Sequence, residues 1–279
     1  MKKIFSFCNQ KGGVGKTTSV VNISACLAQK GFKILVIDLD SQANATSGLG
    51  QEKPSIEFGT YQLFNEADPS SLIRKTDFDN LFLMPSNADL AGAELDLVSK
   101  DRREYVLKGS LAKISEEYDF IFIDCPPSLG LITINALTAS DYLIIPLQCE
   151  YYALEGLGLL LSTHNLIQKN LNPDLAVGGV ILTMADFRTN LTQQVIEEVK
   201  SFFKNKVFNE IIPRSVKLSE APSFGKPAVF YDPSNRASKS YKAVAKEFIN
   251  RFQKKEAREG DAQEDAAPLQ NIQTEESLS

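Results

Sequence analysis

Short apolar blocks alternate along this chain with longer amphipathic stretches almost to its end. Residues 4–8, 33–38 (K-I-L-V-I-D), 80–85, 119–124 (D-F-I-F-I-D), 141–147 and 175–183 have the length and composition of buried strands. Residues 207–212, ending at Pro213, have the same character. Between them lie helical patterns: one carrying Val20, Ile23 and Leu27, a short one at 59–65, a long polar one at 89–113, one beginning at Ser128, and two more at 153–169 and 191–204. In the last helix Tyr241, Val244, Ala245, Phe248, Ile249 and Phe252 recur at the spacing of one helical face, with Lys239, Lys242 and Lys246 off that stripe. Such alternation predicts an α/β fold, a mostly parallel twisted sheet with helices on both faces. Periodicity ends near residue 255, so the expected organisation is one domain over 1–255 and an acidic, disordered tail over 256–279.

The stretch 9–18, N-Q-K-G-G-V-G-K-T-T, adds chemistry to this pattern. It follows the first strand and opens the first helix, the context of a phosphate-binding loop. Gly12, Gly13 and Gly15 let the backbone around Val14 fold into a nest of N–H groups, and the helix N-terminus adds its positive end. Lys16 is placed to reach β- and γ-phosphates and the Thr17 hydroxyl to ligate Mg²⁺, with Thr18 beside it. The common form of this loop has glycine where Gln10 stands; this chain has a second lysine, Lys11, instead.

Metal-assisted attack of water on a γ-phosphate also needs acids. Two strand ends supply them, Asp38 with Asp40 and Asp124, at the carboxyl edge where open α/β sheets bind ligands. Asp124 is expected to be Mg²⁺-linked, Asp40 to position water and share in the metal shell, and Asp38 to brace the loop.

Composition narrows the setting. The four cysteines form no C-x-x-C pair and sit in apolar patterns, as reduced buried thiols of a cytosolic protein do. No apolar run approaches the ~20 residues of a membrane span. The net charge of −5 is concentrated at the end: from Glu256 onward seven acids face one arginine, leaving the rest near +1. Overall acidity therefore does not exclude a nucleic-acid partner.

With these residues in place, the chain resembles the ParA/Soj family of partition ATPases, within the deviant Walker A group of P-loop NTPases that includes MinD. Residues 11–18 (K-G-G-V-G-K-T-T), 38–46 (D-L-D-S-Q-A-N-A-T) and 124–130 (D-C-P-P-S-L-G) are similar to its three nucleotide motifs. Residues 183–191 and 212–223 resemble segments of chromosomal and plasmid ParA, so the likeness runs over about 1–252. It implies ATP and Mg²⁺ as cofactors, an ATP-dependent homodimer in which Lys11 reaches the partner's phosphates, and catalytic roles for Lys11, Lys16 and Asp40. It implies adenine contacts from Met184 and from Pro213, Arg214 and Ser215, and binding of non-specific double-stranded DNA through Arg188 and Lys217. A ParB-like centromere-binding protein would stimulate hydrolysis, in the cytoplasm at the nucleoid. Ser41 stands where the family usually has proline, and Ser215 where it often has asparagine.

Rival readings need other features. A MinD-like membrane ATPase needs a basic amphipathic C-terminus, and this one is acidic. An iron–sulfur reductase needs paired cysteines at a dimer face, whereas Cys125 abuts Asp124 with no second cysteine expected beside it. A nucleotide-gated DNA-binding regulator with little turnover would rely on Arg188 and Lys217 more than on Asp40.

Overall fold

Alternation of residues within each apolar block decides the layering, because successive side chains of a strand enter opposite faces. A computed structural model describes residues 2–65, 67–150 and 157–253. Its strands are β1 (Lys3–Phe7), β2 (Ile34–Asp38), β3 (Arg74–Lys75), β4 (Leu81–Met84), β5 (Phe120–Asp124), β6 (Tyr142–Gln148) and β7 (Ala176–Thr183). They form one sheet in the order β3-β4-β2-β5-β1-β6-β7. Every pairing is parallel except β3 with β4.

The helices are α1 (Lys16–Ala28), α2 (Asn44–Gly48), α3 (Ala93–Val98), α4 (Val106–Leu111), α5 (Leu131–Ala139), α6 (Leu157–Asn170), α7 (Asn190–Phe203), α8 (Val216–Glu220), α9 (Ala228–Tyr231) and α10 (Arg236–Gln253). On one sheet face Phe5, Phe7, Val36 and Phe122 pack against Val20 and Ile23 of α1 and Tyr241, Val244 and Phe248 of α10. On the other, Leu35, Ile37, Ile121, Ile123 and Ile145 meet Leu107, Leu137, Leu160 and Val199. Phe248 lies fully buried among Phe5, Phe122 and Phe252, with ring centroids 4.7, 5.2 and 4.6 Å away. Burying one such side chain stabilises by roughly 1.5–3 kcal/mol, so the α10 stripe is core, as its periodicity predicts.

Three expectations are corrected. The polar stretch 89–113 is not one helix: it breaks into a 3-10 turn (Ala88–Gly92), α3, a second 3-10 turn (Arg103–Tyr105) and α4. Arg102 takes a positive φ of 51° at the break, and Asn135 fixes it there by donating to the Arg103 carbonyl and accepting from the Leu107 N–H. Residues 207–212 are not a strand. Phe208 N–H donates to the Val180 carbonyl and Ile212 N–H to that of Leu182, so the segment is too long for the β7 residues it spans and the ladder fails. Asn209 N–H turns instead to the Glu247 carboxylate, 2.9 Å away. Cys125, thirdly, is not alone: the register pairing Phe7 with Asp124 sets the Cys8 thiol against it. Both are buried rather than presented at a surface, as are Cys26 and Cys149.

Part of the predicted helix at 153–169 and the whole tail at 256–279 lie outside the described residues. Among the described residues no helix is long and apolar enough to cross a membrane.

Candidate nucleotide site

The phosphate loop joins β1 to α1 and is tied to its neighbours by two side chains. Asn9, nearly fully buried, donates to the Pro146 carbonyl at 2.8 Å and accepts from the Lys11 N–H at 3.0 Å. Thr183, the last residue of β7, donates to the Val14 carbonyl at 2.8 Å. Gly13 and Gly15 have φ of 75° and 87°, a region where a side chain would clash with the backbone, so the loop needs glycine there. Gly15 precedes α1 directly, and the free N–H groups of that helix end face the loop.

Three acids gather beside this loop, and one of them, Asp124, touches it. The β2–β5 register puts Asp38 beside Asp124, and both are fully buried. The Thr17 hydroxyl donates to Asp124 Oδ2 at 2.7 Å, while Asp124 Oδ1 is buried with no hydrogen-bond partner among the described residues. Burial, and then the charge of Asp38, raise the Asp124 carboxyl well above the ordinary carboxylate range, opposed by Thr17 and by the buried Lys16. Asp38 is pushed up to about 6 by burial, held down in part by the N–H and hydroxyl of Thr46, both 2.8 Å from Oδ2. It also accepts from Asp40 N–H at 3.1 Å, which is the bracing role expected of it. Asp40 itself is half-buried and its Oδ1 accepts from Gln42 N–H at 2.9 Å.

A buried carboxyl oxygen left without a partner beside a hydroxyl is a natural seat for a hard cation, which would favour the ionised carboxylate that burial disfavours. Among the described residues no three His, Cys, Asp or Glu side chains form a cage. Mg²⁺ fits that donor set, since it keeps waters and shares phosphate oxygens rather than requiring an all-protein shell.

A cavity of about 450 Å³ opens beside the loop, lined by Gly15, Thr17, Thr18, Asn44, Met184, Pro213, Arg214 and Ser215 among others. This is the size of a small-molecule site. Met184 holds a left-handed φ of 54°, a strained conformation for a side-chain-bearing residue. The bonds from Ala185 N–H to the Ile212 carbonyl and from Arg214 N–H to the Ala185 carbonyl, each 3.1 Å, pin it. Ser215 Oγ donates to Asn235 Oδ1.

The remaining predicted residues sit further out. Lys11 pairs with Glu150 at 3.2 Å, and Arg214 reaches the same carboxylate at 3.4 Å. Arg188 is 88% exposed and grips Asp186 through two contacts of 2.8 and 2.6 Å, which lowers the Asp186 carboxyl to about 2. Lys217 pairs with Glu220 at 2.8 Å over the Tyr231 ring. Sequence reasoning missed Asn9, Thr46, Glu150, Thr183 and Asn235. Thr46 and Thr183 lay within the quoted motifs, whereas Glu150 and Asn235 carried no local signal.

Comparison with known proteins identifies the family. A family profile described as AAA domain matches residues 2–177. The chain is 56% identical over 248 residues to the sporulation initiation inhibitor protein Soj of Bacillus subtilis, covering 88% of this chain and 98% of that one. It is 49% identical over 251 residues to the chromosome-partitioning ATPase Soj of Treponema pallidum, covering 90% and 98%. Among solved structures, cobyrinic acid a,c-diamide synthase from Mycobacterium smegmatis with bound ADP and magnesium superposes with a TM-score of 0.80 at 35% identity, covering 91% of this chain and 96% of that one. The loop, the paired acids and the extent of these matches lead to one assignment: the chain belongs to the ParA/Soj family of chromosome-partitioning ATPases.

Proposed function

We propose that this protein binds ATP and Mg²⁺, pairs with a second copy of itself, holds DNA without sequence preference, and releases it on hydrolysis. The loop backbone from Gly12 to Thr18 and Lys16 hold the phosphates. Met184, Pro213, Arg214 and Ser215 enclose the base. Thr17 and the free oxygen of Asp124 hold Mg²⁺, with Asp40 on its water shell; the ion, when bound, neutralises developing charge on the phosphates. Asp40 accepts a hydrogen bond from the attacking water and aims it.

The observation that carries the reading is the contrast between the two lysines. Lys16 is buried against Asp124, committed to its own loop. Lys11 stands 43% exposed on Glu150, a surface ion pair of the kind worth about 0–1 kcal/mol. An ammonium so cheaply released can leave Glu150 for the phosphates of a facing protomer, where it completes a site that one chain leaves open. Arg188 and Lys217 sit in similar exposed pairs and exchange their acids for DNA phosphates. A centromere-binding protein of the ParB kind then accelerates hydrolysis, and the cycle runs in the cytoplasm on the nucleoid.

The test is co-sedimentation with non-specific DNA and, separately, with anionic liposomes, each in ATP and in ADP. Retention on DNA in ATP alone is the expected result. Retention on liposomes alone would replace this reading with a membrane-positioning one.

A further inference from the structure

The Val14 carbonyl is an unusual acceptor in this loop because its partner comes from a distant strand. Flipping the 14–15 peptide turns ψ of Val14 and φ of Gly15, and Gly15, at φ of 87°, tolerates either sign of φ, so the glycine side of this peptide does not hold one orientation by itself. In a planar trans peptide the C=O of one residue and the N–H of the next point in opposite directions. Holding the Val14 carbonyl toward β7 therefore aims the Gly15 N–H away from β7, into the loop. Thr183 Oγ1 supplies that hold at 2.8 Å, and both residues are buried.

Thr183 is itself firmly placed. It is in register with Gln148 of β6, and its carbonyl accepts from Cys149 N–H at 3.0 Å. Its methyl carbon lies 3.6 Å from where a Cβ on Gly15 would stand, so it also walls the loop from behind.

We propose that Thr183 is a positioning residue for phosphate recognition: its hydroxyl keeps the 14–15 peptide from flipping, so that Gly15 N–H presents to the polyphosphate of the nucleotide. This rests on the reading of the loop as a nucleotide site. A hydroxyl acting on the phosphate cradle affects every ligand that carries the polyphosphate, with or without a base. One that shapes only the cavity wall through Met184 affects only ligands that carry a base.

The experiment measures dissociation constants of the full chain for ATP, ADP and inorganic tripolyphosphate, all with Mg²⁺, by calorimetry. Thr183→Val removes the donor and keeps the volume; Thr183→Ala removes it without overfilling and substitutes if the first does not fold. The expected result is a similar loss for all three ligands, roughly tenfold, the scale of one buried hydrogen bond. Thr183→Ser, which keeps the hydroxyl, should stay within about twofold of the native chain. Unchanged affinity in a folded donor-less variant overturns the proposal, even if its unfolding midpoint falls. So does a loss confined to ATP and ADP, or a Thr183→Ser variant as weak as Thr183→Val. A native chain that binds none of the three would instead remove the nucleotide reading on which the proposal stands.

Discussion

Replacing Thr46 by valine should damage this protein twice over, in stability and in turnover, though Thr46 lies in no catalytic position. Its hydroxyl donates to Asp38 Oδ2 at 2.8 Å and accepts from Ser86 N–H at 2.9 Å, and all three residues are fully buried. Valine fills the same space with neither capacity. A hydrogen bond to a charged group contributes about 1.5–3 kcal/mol, and an orphaned buried N–H costs about 1–3 kcal/mol. Because the two losses share one site, about 3–5 kcal/mol is the expected total. For a domain of this size about 1 kcal/mol moves the unfolding midpoint by 2–4 °C, so a fall on the order of 10 °C follows. Asp38 in turn holds the Asp40 N–H, so loosening it misdirects Asp40 and lowers ATPase turnover while nucleotide binding remains. Thermal unfolding followed by circular dichroism, with steady-state hydrolysis on the same samples, measures both effects. Thr46→Ser should recover most of each. A midpoint shift under about 2 °C would refute the bond arithmetic.

Other perturbations separate the roles assigned above. Asp40→Ala should keep ATP binding and pairing of two copies but abolish phosphate release; normal release removes Asp40 from the mechanism. Lys11→Ala should remain monomeric in ATP by light scattering, and a stable ATP dimer from it argues against a cross-protomer lysine. Arg188→Glu should lose DNA co-sedimentation while still forming the ATP dimer; undiminished retention places the DNA elsewhere. Asp38 holds its proton up to about 6, against an ordinary 3.8, so the folded state binds more protons than the unfolded one between those values. Its contribution therefore makes the nucleotide-free protein more stable as pH falls from 7 through 6 toward 4. The unfolding midpoint of the native chain minus that of Asp38→Asn should rise from pH 7.5 to 5, and a difference that stays level or falls counts against the buried proton.

Much of the fold is legible because the parallel strands are buried on both faces and read as unbroken apolar runs. Where a segment is only partly committed to the sheet, the signal misleads. Residues 207–212 have strand composition, but their spacing against β7 prevents a ladder, and spacing between segments is not written in either one. Arg74 and Lys75 of β3 show the reverse case, a charged two-residue edge strand with no alternation to find. In the site, the glycines, Lys16, Thr17 and the strand-end acids announce themselves by type and spacing. Asn9, Glu150 and Thr183 act through contacts between residues 137 to 169 positions apart in the chain, so only the folded sheet assigns them partners.

The two kinds of contact in this site divide its labour. The inner frame of the site is set by short hydrogen bonds among buried groups: Asn9 to Pro146, Thr183 to Val14 and Thr46 to Asp38. Breaking any of them leaves a polar group without water or partner, so they hold one geometry. Parts that face outward are set by exposed ion pairs, Lys11 with Glu150, Arg188 with Asp186 and Lys217 with Glu220. Solvent already screens those pairs, and exchanging a carboxylate for a phosphate oxygen changes their energy little. The proposed cycle, in which nucleotide binds first and a second copy and a polyanion only afterwards, calls for this asymmetry. On that cycle, a Lys11 buried like Lys16 would give up a desolvated contact to reach a neighbour, and a Thr183 exposed like Arg188 would offer the Val14 carbonyl a bond that water could replace.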